Sequence, residues 1–302
     1  MPASRSDTNR AAPARIALLA FAALAGCAGT GSPDAGLPPP APDAGLEVDG
    51  GIQRGVRILF IGNSLTSTND LPAAVQQLAR AQVRGWSEIT VAAVAPGGKL
   101  LSGHLQDLST PGTSLHTLLA GGSTWDYVVL QEQSQVPGLP PDDSYRAQSI
   151  TSAAALAAAA RDAGAVPVLY MTWGFWSGDA TNRDIYPDFT TMGARLDEGY
   201  RAMADAVQPP PLLAPVGRAF RAAHDDTPGA LESGSLFRRL YSDDRHPTLL
   251  GTYLASAVIV GTLSGERMAD AGYRPPGISP EDAALLLRWA DEVVFEGRYA
   301  AP

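Results

Sequence analysis

The 302-residue chain contains one cysteine, Cys27, so no intrachain disulfide can staple it. It has four histidines, His104, His116, His224 and His246, which leaves few choices for an imidazole base. No set of His, Asp and Glu shows a ligand spacing, so the sequence calls for no metal and no other cofactor. Beyond Cys27 no uninterrupted apolar run reaches membrane-spanning length. Cationic side chains are in deficit, 22 Lys+Arg against 31 Asp+Glu, for a formal charge of −9. A surface of that sign repels phosphates rather than releasing counterions, which argues against a nucleic-acid partner.

What is present begins with an export pattern. Arg5, Arg10 and Arg15 precede the apolar run Ile16 to Ala25, too short to span a bilayer as a mature helix. It ends in Leu24-Ala25-Gly26-Cys27, which resembles a bacterial lipoprotein signal. That resemblance implies cleavage before Cys27, a lipid on its sulfur and, with Ala28 rather than Asp next, an outer-membrane anchor. An ordinary signal peptide with an incidental cysteine is the alternative. Several acyl chains on one cysteine would hold the protein stably, where one chain alone is marginal. Loss of residues 1–26, with Arg5, Asp7, Arg10 and Arg15, moves the formal charge from −9 to −11. Residues 27–53 read as a tether in which Pro33-Asp34-Ala35-Gly36 recurs as Pro42-Asp43-Ala44-Gly45 around Pro38-Pro39-Pro40. With so few large apolar residues it is expected to stay disordered.

Residues 54–302 are enough for one domain with a sizeable core. Strand-like runs occur at Val56–Ile61, Ile89–Val94, Tyr127–Leu130, Val166–Met171 and, more weakly, Pro211–Ala214. Helical segments alternate with them. Asn69 or Asp70 can cap the first helix, Pro72 suits its first turn, and Val75, Leu78 and Ala79 repeat at helical spacing. Residues 144–163 form an Ala-rich helix ended by Gly164, and 188–207, 247–264 and 279–298 read as further helices. Short apolar strands alternating with helices predict an α/β fold whose largely parallel sheet is covered on both faces.

The first strand breaks into Gly62-Asn63-Ser64-Leu65-Thr66, which puts Ser64 on a strand-to-loop turn. Near the other end stands Asp243-Asp244-Arg245-His246-Pro247, an Asp three residues before a His on one loop. A nucleophile, a base and an orienter are therefore all available. These two motifs, in this order and context, resemble the SGNH (GDSL-type) hydrolase family, with Asn63 in place of the usual Asp. The resemblance spans residues 55–264. It implies a three-layer α/β/α sandwich, flavodoxin-like, with about five mainly parallel strands, and it selects Asp243 over Asp244 as partner of His246.

The resemblance also implies an oxyanion hole made from the N–H of Ser64, a glycine N–H after the second strand and a side-chain amide after the third. Gly98 is the expected glycine, with Gly97 beside it. After the third strand the family's Asn is missing, and the chain reads Gln131-Glu132-Gln133. A glutamine amide offers the same donor on a longer arm. Register favours Gln133 and analogy with Gln-containing branches favours Gln131, so both stay open. Glu132 is read as orienting neighbours or pairing with an arginine, with a role as base the alternative. Trp173 and Trp176, after the fourth strand, suit stacking on a sugar ring or packing under their own loop. Asn63 is a further candidate to line the pocket, and His104 either lines it or, as the favoured reading, is a satisfied structural histidine.

These residues together predict a lipid-anchored serine esterase that forms an acyl-enzyme and removes short acyl groups, such as acetyl, from a carbohydrate or envelope glycan. A lipase or thioesterase of the same fold and a non-catalytic glycan-binding lipoprotein are the alternatives. The expected partners are the ester substrate and a membrane reached through the N-terminal lipid alone; oligomeric state is left open.

Overall fold

The structure, a computed structural model, describes residues 46–48 and 51–300. The export segment, Cys27 and the tether as far as residue 45 lie outside the described residues. A short strand β1 (Leu46–Val48) pairs antiparallel with residues 51–53, so strand pairing begins inside the stretch read as tether. Five strands then run parallel: β2 (Gly51–Ile61), β3 (Trp86–Val94), β4 (Tyr127–Leu130), β5 (Val166–Tyr170) and β6 (Leu212–Ala214). Their spatial order is β3-β2-β4-β5-β6.

The helices are α1 (Ser64–Ser67), α2 (Leu71–Gln82), α3 (Leu101–Leu108), α4 (Ser144–Asp162) and α5 (Phe189–Asp205). After β6 come α6 (Val216–Asp226), α7 (Leu236–Arg239), α8 (Leu249–Ser264) and α9 (Pro280–Phe295). Side-chain alternation along the strands sends successive residues to opposite faces. Val56, Ile58 and Phe60 of β2, Val129 of β4, and Val168 and Tyr170 of β5 pack with α2, α6, α8 and α9. Leu59, Ile61, Val128, Leu130 and Leu169 face the other way, against α3, α4 and the second half of α5. Strands buried on both faces need apolar residues at every position, which is why these runs show no polar alternation.

Local chemistry sets the helix ends. Asp70, Asp143, Asp188 and Ser279 accept bonds from first-turn N–H groups of α2, α4, α5 and α9. Gly164, at φ +81, closes the turn after α4. The helix expected from 247 starts at Leu249, because Pro247 and Thr248 belong to the loop before it. The chain leaves β2 toward β3 on one side and returns through α3 to β4 on the other. That reversal opens a crevice beyond the C-terminal ends of the strands, where open α/β sheets bind ligands.

Candidate active site

Ser64 is the first residue of α1, immediately after β2, and lies in this crevice. Its neighbours are held tightly. Asn63 caps α1, its Oδ1 accepting from Leu65 N at 3.2 Å, while Thr66 N and Ser67 N both donate to the Asn63 carbonyl. Ser64 N–H meets no acceptor among the described residues. Gly62 is required by its surroundings, since a Cβ there would lie 2.5 Å from Thr66 Oγ1 and 2.6 Å from Gln131 Oε1.

The loop between α7 and α8 brings the base across. Ser64 Oγ donates to His246 Nε2 at 2.9 Å, and His246 Nδ1 donates to Asp243 Oδ2 at 2.7 Å. Asp243 Oδ1 accepts the backbone N–H groups of Arg245 and His246 at 2.8 and 2.7 Å. Burial pushes the Asp243 carboxyl up, but these donors and the imidazole outweigh it and hold its pKa below the ordinary carboxylate value. Asp243 therefore stays ionised and selects the His246 tautomer whose Nε2 is free to take a proton. Asp244 forms an ion pair with Arg245 instead.

The two glutamines separate. Gln131 is fully buried, and its Oε1 accepts from Asn63 N and Thr66 Oγ1, each at 2.9 Å. Its Nε2 donates to Asn63 Oδ1 at 3.0 Å and to the Glu132 carbonyl. Both of its N–H groups are thus committed, one to the nucleophile turn and one to the segment after β4. Gln133 is half-buried and gives one N–H to Gln135 Oε1 at 2.7 Å. Gly98 lies on an exposed turn at φ +68, with open space where a Cβ would be. Asn63 Nδ2 bonds the next carbonyl of that turn, Lys99 O, at 3.1 Å. Asn63 is buried and braces the turn, which corrects its reading as a pocket residue.

The structure also places three other candidates. His104 is fully buried beneath the turn, its Nε2 donating to the Gly62 carbonyl at 2.7 Å, and so supports the nucleophile from behind instead of lining the pocket. Burial lowers its pKa and keeps the ring neutral. Trp173 is buried and stacks on Phe220 at 4.1 Å between centroids, while its indole N–H donates to the Arg245 carbonyl at 3.0 Å. It offers no face to a sugar; it anchors the loop that carries His246. Trp176 is half-buried, carries the Arg238 guanidinium 3.2 Å from its ring centroid, and donates its backbone N–H to the Asp244 carbonyl at 3.1 Å.

Glu132, which burial pushes up in pKa, accepts Leu101 N at 3.0 Å and Gln133 N at 2.6 Å. It orients neighbours, through backbone N–H groups and not through an arginine, and ties the start of α3 to the segment after β4. No residue spacing advertised this brace. Among the described residues no group of three or more His, Cys, Asp or Glu could hold a metal, and no helix is long and apolar enough to cross a membrane.

A protein from Slackia heliotrinireducens assigned to the SGNH hydrolases is 32% identical to this chain. The match covers 70% of this chain and 100% of that one, with a TM-score of 0.53. A DUF4886 family protein from Bacteroides uniformis shares the fold at 18% identity, covering 80% and 96%, with a TM-score of 0.66. Axe2, an acetylxylan esterase from Geobacillus stearothermophilus, does so at 16% identity, covering 71% and 96%, with a TM-score of 0.50. No protein-family model matches the chain, and no curated protein does.

Proposed function

The chain belongs to the SGNH hydrolase family, and from that premise we propose that it is a serine esterase removing short acyl groups, acetyl foremost, from a carbohydrate or envelope glycan. The observation that carries the reading is the continuous chain of bonds from Ser64 Oγ through His246 to Asp243 at 2.9 and 2.7 Å. Ser64 Oγ attacks the ester carbonyl as His246 Nε2 takes its proton. Asp243 stabilises the resulting imidazolium. The tetrahedral oxyanion is met by the N–H of Ser64, the N–H of Gly98 and the side-chain amide of Gln133. Collapse expels the alcohol, which His246 protonates, and leaves the acyl group on Ser64. Water, deprotonated by His246, then releases the acid.

The acetyl-glycan part of this reading leans on the fold shared with Axe2, because Trp173 is buried and the Trp176 ring carries the Arg238 guanidinium. Attachment to the cell envelope is proposed from residues 1–27 alone. The test is hydrolysis of p-nitrophenyl acetate, butyrate and octanoate and of acetylated xylooligosaccharides by wild type and Ser64→Ala. We expect Ser64-dependent turnover that falls with acyl length, with kcat lower by about 10³-fold or more in the variant. Turnover rising with acyl length would transfer the assignment to lipid or thioester substrates. Equal rates in both proteins would remove the catalytic reading.

A further inference from the structure

Ser64 and His246 are 182 residues apart, and their 2.9 Å hydrogen bond must be held in place by something other than the chain between them. Directly after α1, Asn69 and Asp70 both sit in the left-handed region, at φ 55 and 52. Two adjacent non-glycine residues in that conformation persist only where the surroundings over-determine them, and such outliers gather at functional sites. What Asn69 gains is a pair of bonds across the crevice. Its Nδ2 donates to the Pro247 carbonyl at 2.9 Å and to Thr252 Oγ1 at 3.0 Å. Pro247 directly follows His246, and Thr252 lies in the first turn of α8.

We propose that Asn69 is a positioning residue that clamps the His246 loop to the nucleophile turn and so sets the Ser64–His246 distance. Asp244 O is held by Trp176 N and Arg245 O by the Trp173 indole, while His246 O is bonded within the loop by Ser242 N. Those bonds fix the loop to its own side of the crevice. Asn69 reaches it from the segment that carries Ser64, so its two bonds tie base to nucleophile across the crevice. The left-handed backbone is what turns the Asn69 amide back toward Pro247, and Asn tolerates that conformation better than most residues.

This inference rests on the serine-hydrolase reading, and its test separates the two. Asn69→Gly keeps the left-handed backbone available and deletes both bonds. Asn69→Asp keeps size and shape but turns an acceptor toward the Pro247 carbonyl. The readouts are kcat and KM for p-nitrophenyl acetate, the rate of labelling of Ser64 by a fluorophosphonate, and Tm. We expect kcat and labelling rate to fall together by about 10- to 100-fold in both variants. KM should change little, and the Tm of Asn69→Gly should stay within a few degrees of wild type. Labelling of both variants at the wild-type rate overturns the clamp, as does activity lost only in proportion to unfolded protein. A wild type that is not labelled at Ser64 removes the serine-hydrolase reading, and the clamp with it.

Discussion

An amide nitrogen has two hydrogens to give, and that count separates two glutamines that look alike in the sequence. Gln131 has given both, to Asn63 Oδ1 and the Glu132 carbonyl, and so acts as a buttress beneath the turn. Gln133 is less buried and gives only one N–H, to Gln135 Oε1, which supports the proposal that it is the oxyanion donor. We expect Gln133→Ala to lower kcat by about 10²-fold, the scale of losing one oxyanion donor, with little change in Tm. Gln131→Leu should lower Tm as well, because the buried Asn63 N–H loses its acceptor at a cost of about 1–3 kcal/mol. Thermal melts beside steady-state rates decide the point. A Gln131→Leu protein that melts like wild type but turns over slowly would return the donor role to Gln131.

At the scale of elements, the decisive junction is the passage from β2 into α1. The strand ends buried on both faces, and within three residues the backbone must swing Ser64 into the crevice. Gly62 permits the swing because Thr66 and Gln131 close over the place where its Cβ would be. Gly62→Ala should therefore cost about 1–3 kcal/mol, as overpacking does, or several degrees in Tm, and should also displace the bond from Asn63 N to Gln131. Differential scanning calorimetry and esterase assays below the transition measure the two effects separately. An alanine variant with wild-type Tm and rate would show that the turn repacks freely.

For the molecule as a whole, the C-terminal layer is fastened to the sheet's covering helices by charge as well as by packing. Arg298 grips Asp226, at the end of α6, with bonds of 2.7 and 3.0 Å, and the Trp289 indole adds a third at 2.8 Å. The Arg298 bonds hold the Asp226 carboxyl at a pKa of about 2, against burial that pushes it up. A depressed carboxylate contributes stability above its unfolded pKa and loses it as pH falls through its folded value. The Tm deficit of Asp226→Asn should therefore be full and constant near neutral pH and close between about pH 4 and pH 2. A deficit that persists unchanged at pH 2 would mean that the bonds act through shape alone.

Much of this architecture was legible in the sequence, and the legible parts share one property. Tyr127–Leu130 is a strand at the expected residues and Val56–Ile61 ends where expected, because strands buried on both faces must be continuously apolar; Ile89–Val94 ends where expected although β3 is a half-exposed edge strand. The cap at Asp70 could be read because capping is a short-range interaction. Ser64, His246 and Asp243 stood out because a triad needs particular residue types in particular local settings. Helix α6 went unread even though Val216, Ala219, Phe220 and Ala223 follow helical spacing, because it is short and opens directly after Pro215. Other features depended on which segments meet across the crevice, and no local pattern carries that information. Whether a tryptophan faces a sugar or a loop carbonyl, or a glutamine donates outward or inward, depends on residues 60 to 180 positions away. Pairing of β2 with both β3 and β4, and the return of the loop before α8, made Trp173 an anchor, His104 a support and Asn69 a clamp. The chain determined its layers through local hydrophobic order, whereas the roles of its polar groups were decided only when folding brought their partners within hydrogen-bond range.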